Sequence, residues 1–214
     1  DPAAIRPAGR SINDVRAPLM MLYVAAFCGG RLGGVPIWAL LAVMAPLVAL
    51  LAAFYERRAL RAMLRFEPSH LVWGIGAGAA LHGAAWLVSS VGGAALERAA
   101  GGTLAEIRAQ IEIAHPALAG LVGALVLAPA EELFWRGFVQ LRLGARLGRW
   151  LGAAVTAALY AGLYATMLGT VPAVVAGATG LACGLLTARA NSLVPAMVCH
   201  AVFWLAAIWI APAV

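Results

Sequence analysis

Two adjacent carboxylates, Glu131 and Glu132, are followed at helical spacing by Arg136, and a histidine, His200, stands near the other end of the chain. Each lies in or beside an apolar run, where an ionisable group is costly and is kept for a partner or a reaction. On a helix, Glu132 and Arg136 are i and i+4, so they share a face and can pair. Glu131 points about 100° away, towards the face of Trp135. One carboxylate is then held by an arginine, and the other is left as a general base that can take a proton from water. The competing account is a structural ion cluster at the headgroup boundary. His200 weighs against it: about seven residues into the last apolar run, it lies roughly 10 Å deep, and Glu131, five residues from Arg136, lies roughly 8 Å deep. At matching depths, a carboxylate and an imidazole on different helices can hold one water between them. His82, midway along another apolar run, is a further candidate, although a hydrogen bond to a backbone carbonyl also accounts for it.

The elements that position these groups are membrane helices. Of 214 residues, 64% are hydrophobic and 11% charged, about half the share of charge a soluble domain carries. Six stretches approach the length of about 20 residues that a span needs: Val35 to Tyr55, Leu71 to Leu96, Ala117 to Trp135, Trp150 to Leu168, Val171 to Ala188 and Leu193 to Val214. Ala17 to Gly30 is a shorter seventh, broken from its neighbour by Gly29, Gly30, Gly33 and Gly34. If it crosses, alternate loops place twelve of the fifteen arginines on one side and leave Arg31, Arg98 and Arg108 on the other. Loops rich in arginine stay cytoplasmic, so the reading is an all-α polytopic bundle of six to seven transmembrane helices, N-terminus cytoplasmic and C-terminus outside. Glu56 to His70 reads as a basic amphipathic helix on the inner surface. Gly74 with Gly78, and Gly180 with Gly184, let helix backbones approach. Cys28, Cys183 and Cys199 all fall in apolar stretches, as buried thiols do. The sixteen residues before Ala17 lack the apolar core of a signal peptide, so no cleavable leader is visible there. The basic balance sets topology and does not point to nucleic acid.

The run Ala128, Pro129, Ala130, Glu131, Glu132, Leu133, Phe134, Trp135, Arg136, Gly137 resembles the EExxxR signature of the CPBP family of intramembrane proteases. That family includes the Rce1-type CAAX prenyl endopeptidases and bacterial bacteriocin-processing and Abi proteins. Asn191 to Ala201, where Ser192, Leu193 and Pro195 lead into His200 and Ala201, is similar to the family's third motif. The resemblance covers about Ala117 to Leu205 and implies a four-helix catalytic core within residues 117–214. Residues 17–116 form N-terminal helices and connectors, and residues 1–16 a cytoplasmic tail. It also implies roles: Glu131 activates water, Glu132 and Arg136 support it, and His200 holds the water or stabilises the oxyanion. No cofactor and no metal are expected, because zinc needs three protein ligands and the pattern offers no second histidine.

Two positions depart from the family. Its second motif is Phe, three residues, then His; here the stretch is Tyr160, Ala161, Gly162, Leu163, Tyr164, with Tyr164 at the histidine position. Trp204 stands where the third motif has Asn. A phenol donates a hydrogen bond but, titrating near 10 in water, cannot shuttle protons at neutral pH as imidazole does. A helix entered at Trp150 puts Tyr164 about 21 Å along it, deeper than Glu131 or His200, so that the helix starts earlier, near Leu143, or Tyr164 stays outside the site.

The activity implied is that of an endopeptidase in a bacterial inner membrane, cutting a membrane-anchored protein or peptide near the cytoplasmic surface. Arginine without lysine, with abundant Ala and Gly, fits a GC-rich genome. An exported peptide and a C-terminal sorting helix are both compatible substrates. The rival is a non-catalytic scaffold that binds a transmembrane partner, which Tyr164 and Trp204 favour. A proton-coupled carrier ranks below both, for want of paired broken helices.

Overall fold

The structure, a computed structural model, describes residues 37–113 and 115–210, and every regular element among them is a helix. Ala17 to Gly30, Cys28, Arg31 and the tail 1–16 lie outside the described residues. The helices are α1 (Ile37–Met63), α2 (Pro68–Ala100), α3 (Thr103–Ile113), α4 (Pro116–Leu147), α5 (Arg149–Leu168), α6 (Thr170–Ala190) and α7 (Val194–Leu205), the last continuing as a π-helical turn over Ala206–Ile210. Five of them, α1, α2, α4, α5 and α6, are long and apolar enough to cross a membrane, and Val194–Trp209 is a sixth, shorter apolar helix. Large apolar side chains face outwards, Phe54 at 78% exposure and Val91 at 84%. That is a poor surface in water and an ordinary one in lipid.

Glycines and one serine set the turns. Gly148, at φ +81°, folds α4 back along α5, and Gly152 meets Gly144 so closely that an added Cβ would lie 2.7 Å from its Cα. Such a hairpin sets residues equally far from Gly148 side by side. At the base of α7, the Ser192 hydroxyl donates to the Met63 and Arg65 carbonyls at 3.1 and 2.9 Å, and the Leu193 amide donates to Met63 at 2.7 Å. Two carbonyls at and just beyond the end of α1 are thereby satisfied.

Two elements differ from the sequence reading. The basic amphipathic stretch starts where expected, at a break at Glu56 (φ −114°, ψ 22°), with Arg57, Arg58 and Arg61 exposed and Ala59, Leu60 and Met63 buried, but it ends at Met63 and not at His70, because α2 begins at Pro68. Glu56 is buried and pairs with Arg142. The span that carries the acids does not stop at Trp135 but continues to Leu147, which moves Glu131 from near its end to near its middle. Two π-helical segments, Gly123–Leu127 and Trp135–Gln140, flank the acids. A π segment re-aims the side chains that follow it.

The small-residue spacing is used as expected. Gly74 and Gly78 lie against α7, where a Cβ on Gly78 would come 2.5 Å from the Cys199 carbonyl and 2.9 Å from Val202. Gly78→Val is expected to cost about 1–3 kcal/mol by overpacking, read as a lower unfolding temperature in detergent, whereas Gly83→Val, with nothing within 4 Å, changes little.

Candidate active site

α4 supplies Glu131, Glu132 and Arg136, α5 supplies Tyr160 and Tyr164, and α7 supplies His200. Glu132 and Arg136 pair as the spacing predicts, Nη1 to Oε1 at 2.9 Å, and both are fully buried. The other arm of the guanidinium donates to the Gly180 carbonyl at 2.9 Å. One turn along α6, the Gly184 carbonyl accepts from Gln140 at 2.9 Å. The second glycine pair therefore does more than pack: without Cβ atoms at these positions, two polar side chains of α4 reach the backbone of α6.

On the side of Trp135, whose ring meets that of Tyr160 at 5.1 Å, Glu131 finds its partners in α5. Its Oε2 accepts a 2.6 Å hydrogen bond from the Tyr160 hydroxyl, and its Oε1 lies 3.3 Å from that of Tyr164. The two hydroxyls are themselves 3.3 Å apart. His200 lies between the acids, with Nδ1 2.8 Å from Glu132 Oε1 and Nε2 3.8 Å from Glu131 Oε2. When Nδ1–H donates to Glu132, the lone pair of Nε2 faces Glu131; the second carboxylate thus fixes the tautomer the first would use. The chain Arg136, Glu132, His200 positions the imidazole, and the tyrosines position the Glu131 carboxylate.

Tyr164 joins this cluster even though α5 begins at Arg149, close to the start the sequence suggests. The difference from the sequence reading lies in the depth of its partners. Along its own helix Glu131 is about 24 Å from Leu147, and Tyr164 about 22 Å from Arg149, so the hairpin at Gly148 brings them level. His200, only about 9 Å into α7, reaches the same level because α7 starts inside the bundle: Leu193 packs on Gly137, about 9 Å along α4 from Glu131.

Of the two remaining candidates, Trp204 shares the cavity with the cluster and His82 does not. Trp204 packs against Gly123, where a Cβ would lie 3.2 Å from its ring, and lines the cavity described below. His82 is buried on α2 and is not among the cavity's lining residues; its Nδ1 has no hydrogen-bond partner among the described residues, so the backbone bond expected there is not seen at that atom. Sequence reasoning misses Tyr160 as a functional residue, although its four-residue spacing from Tyr164 puts both on one helix face. It also misses Cys183: a ligand atom from each of Glu132, Cys183 and His200 lies within 4.8 Å of the others, which meets the ligand count that zinc needs. Of the two Glu132 oxygens, Oε1 is shared by Arg136 and His200, and Oε2 has no hydrogen-bond partner among the described residues.

A partly enclosed cavity of about 180 Å³ lies in front of the cluster. Tyr160, Tyr164 and His200 line its inner end. Its outer walls are Leu104 and Gln110 of α3, Leu168 of α5, and Val171 and Val175 of α6.

Fold and site together define an integral membrane helical bundle that gathers two carboxylates, an imidazole and two phenols in one cluster. The family model for type II CAAX prenyl endopeptidase Rce1-like proteins matches residues 113–206, in agreement with the motif resemblance. No curated protein and no solved structure matches the chain. The family is one of CAAX-type intramembrane proteases, which act on peptide substrates in a lipid setting.

Proposed function

We propose that the protein is an intramembrane endopeptidase that hydrolyses a peptide bond of a membrane-associated protein or peptide, with Glu131 as the base. The observation that carries this reading is the contact of Glu131 with Tyr160, Tyr164 and His200, three residues that line the cavity, with Glu131 itself buried directly behind them. Water hydrogen-bonded to Glu131 and to Nε2 of His200 attacks the carbonyl carbon, and its proton passes to Glu131. The tetrahedral oxyanion accepts a hydrogen bond from the Tyr164 hydroxyl, which is held at 3.3 Å from each of its partners and can turn. As the carbon–nitrogen bond breaks, Glu131 returns the proton to the leaving amine. Tyr160, at 2.6 Å, holds the carboxylate in place. Glu132 and Arg136 are positioning residues, and residues 117–214 form the catalytic unit.

The test works with an unidentified substrate. New protein N-termini are profiled by mass spectrometry in membranes of a bacterial host with and without the protein. Ends that appear within or beside apolar segments only when the protein is present support the reading, and identical profiles refute it. On a substrate found in this way, Tyr164→Phe is expected to slow turnover by about a hundredfold, as loss of an oxyanion donor does, with binding unchanged.

A further inference from the structure

The sequence places the chemistry near the cytoplasmic surface, and the position of the cavity points the other way. The described arginines gather at one end of the bundle: Arg57, Arg58, Arg61 and Arg65 where α1 ends, Arg142, Arg146 and Arg149 at the α4–α5 turn, and Arg189 where α6 ends. Cross-contacts tie this end together, with Arg142 on Glu56, Arg189 over the Trp73 ring at 5.3 Å, and Ser192 on the Arg65 carbonyl. The opposite end carries Arg98 and Arg108 balanced by Glu97, Glu106 and Glu112, with Arg108 paired to Glu97.

Every outer wall of the cavity belongs to this second end. α3 is the connector there, Leu168 closes α5 there, and Val171 and Val175 open α6 there. In the other direction the way is packed shut. Phe134, Trp135, Arg136, Phe138 and Leu193 are all buried between the cluster and the arginine-rich end, and Gln140 is bonded across to Gly184.

We infer, resting on the hydrolase reading above, that the site is served from the arginine-poor face. Its substrate is a membrane-anchored chain whose scissile bond lies in the half of the bilayer away from the arginine-rich surface. Since arginine-rich ends stay cytoplasmic, that is the non-cytoplasmic half. The occupant follows from the lining: apolar side chains along the walls take apolar residues of the substrate, and the polar groups at the inner end, two hydroxyls and an imidazole, meet its backbone carbonyl. α3, carrying Leu104 and Gln110 on its cavity face, forms part of the mouth that the substrate must pass.

Labelling of introduced cysteines in the full chain tests this without using activity. Val175→Cys and Gln110→Cys report on the cavity and Arg146→Cys on the opposite end, in a Cys28→Ala background in which buried Cys183 and Cys199 remain. A membrane-impermeant maleimide is added to right-side-out and to inverted vesicles of the expression host, and gel filtration of each variant checks folding. Val175→Cys and Gln110→Cys are expected to label in right-side-out vesicles and lose labelling in inverted ones, with Arg146→Cys showing the reverse. Labelling of Val175→Cys from the side that reaches Arg146→Cys, or from neither side, overturns the inference. Because labelling does not depend on hydrolysis, a protein that labels as expected yet produces no new N-termini fails the hydrolase reading and keeps the sidedness.

Discussion

Glu131→Gln is expected to abolish peptide hydrolysis and leave the fold intact. The amide has the shape of the carboxylate and can still accept from Tyr160, so the change in stability is limited to about one weakened hydrogen bond, roughly 1 kcal/mol. It cannot take a proton from water. The fall in turnover is expected to approach about ten-thousandfold, the upper end of what a positioned base supplies. Turnover on an identified substrate, with thermal unfolding in detergent as the folding control, measures both parts. Glu131→Asp is a second check: retracting the carboxylate loses the 2.6 Å contact with Tyr160 while keeping the charge, so activity is expected to fall sharply there too.

Arg136→Met is expected to produce the largest loss of stability of any single change in the site, about 3–5 kcal/mol. The guanidinium is fully buried and joins Glu132 to the Gly180 carbonyl. Removing it leaves a carboxylate in the bundle interior with only His200 to answer its charge. The double variant Arg136→Met, Glu132→Leu is expected to regain much of that stability, because a buried pair replaced whole by apolar side chains costs little. It does not regain activity, since Nδ1 of His200 has then lost the group that orients it. Arg136→Lys is not a rescue either: a single ammonium does not reproduce the planar fork that reaches the carboxylate and the backbone carbonyl at once. Unfolding temperatures of the three variants, beside their turnover, separate the structural effect from the catalytic one.

What is legible in the sequence is local. The Glu132–Arg136 pair follows from i, i+4 spacing alone, and the six apolar runs follow from composition. Sequence and structure part wherever a contact between helices decides the outcome. Arg136 looks like the end of a span because a lone arginine belongs at the interface; paired with Glu132 it is carried inside, and α4 runs on to Leu147. That one difference makes Glu131 look too shallow and Tyr164 too deep, when the turn at Gly148 sets them level. Helical geometry turns Glu131 towards the face of Trp135, but it gives a direction and not a neighbour, and the neighbour, Tyr160, comes from α5. The cavity's sidedness depends on how helix ends splay and where α3 lies, which no periodicity records. His82 stands out for its depth in an apolar run, and depth alone does not bring a side chain into a site.

The measurement closest to the central claim is the set of new N-termini found in membranes that contain wild type, Glu131→Gln or Cys199→Ala protein at equal abundance. Wild type and Cys199→Ala should yield the same new ends, and Glu131→Gln should yield none of them. Ends that persist in Glu131→Gln, or vanish only in Cys199→Ala, would contradict the assignment of the carboxylate as the base.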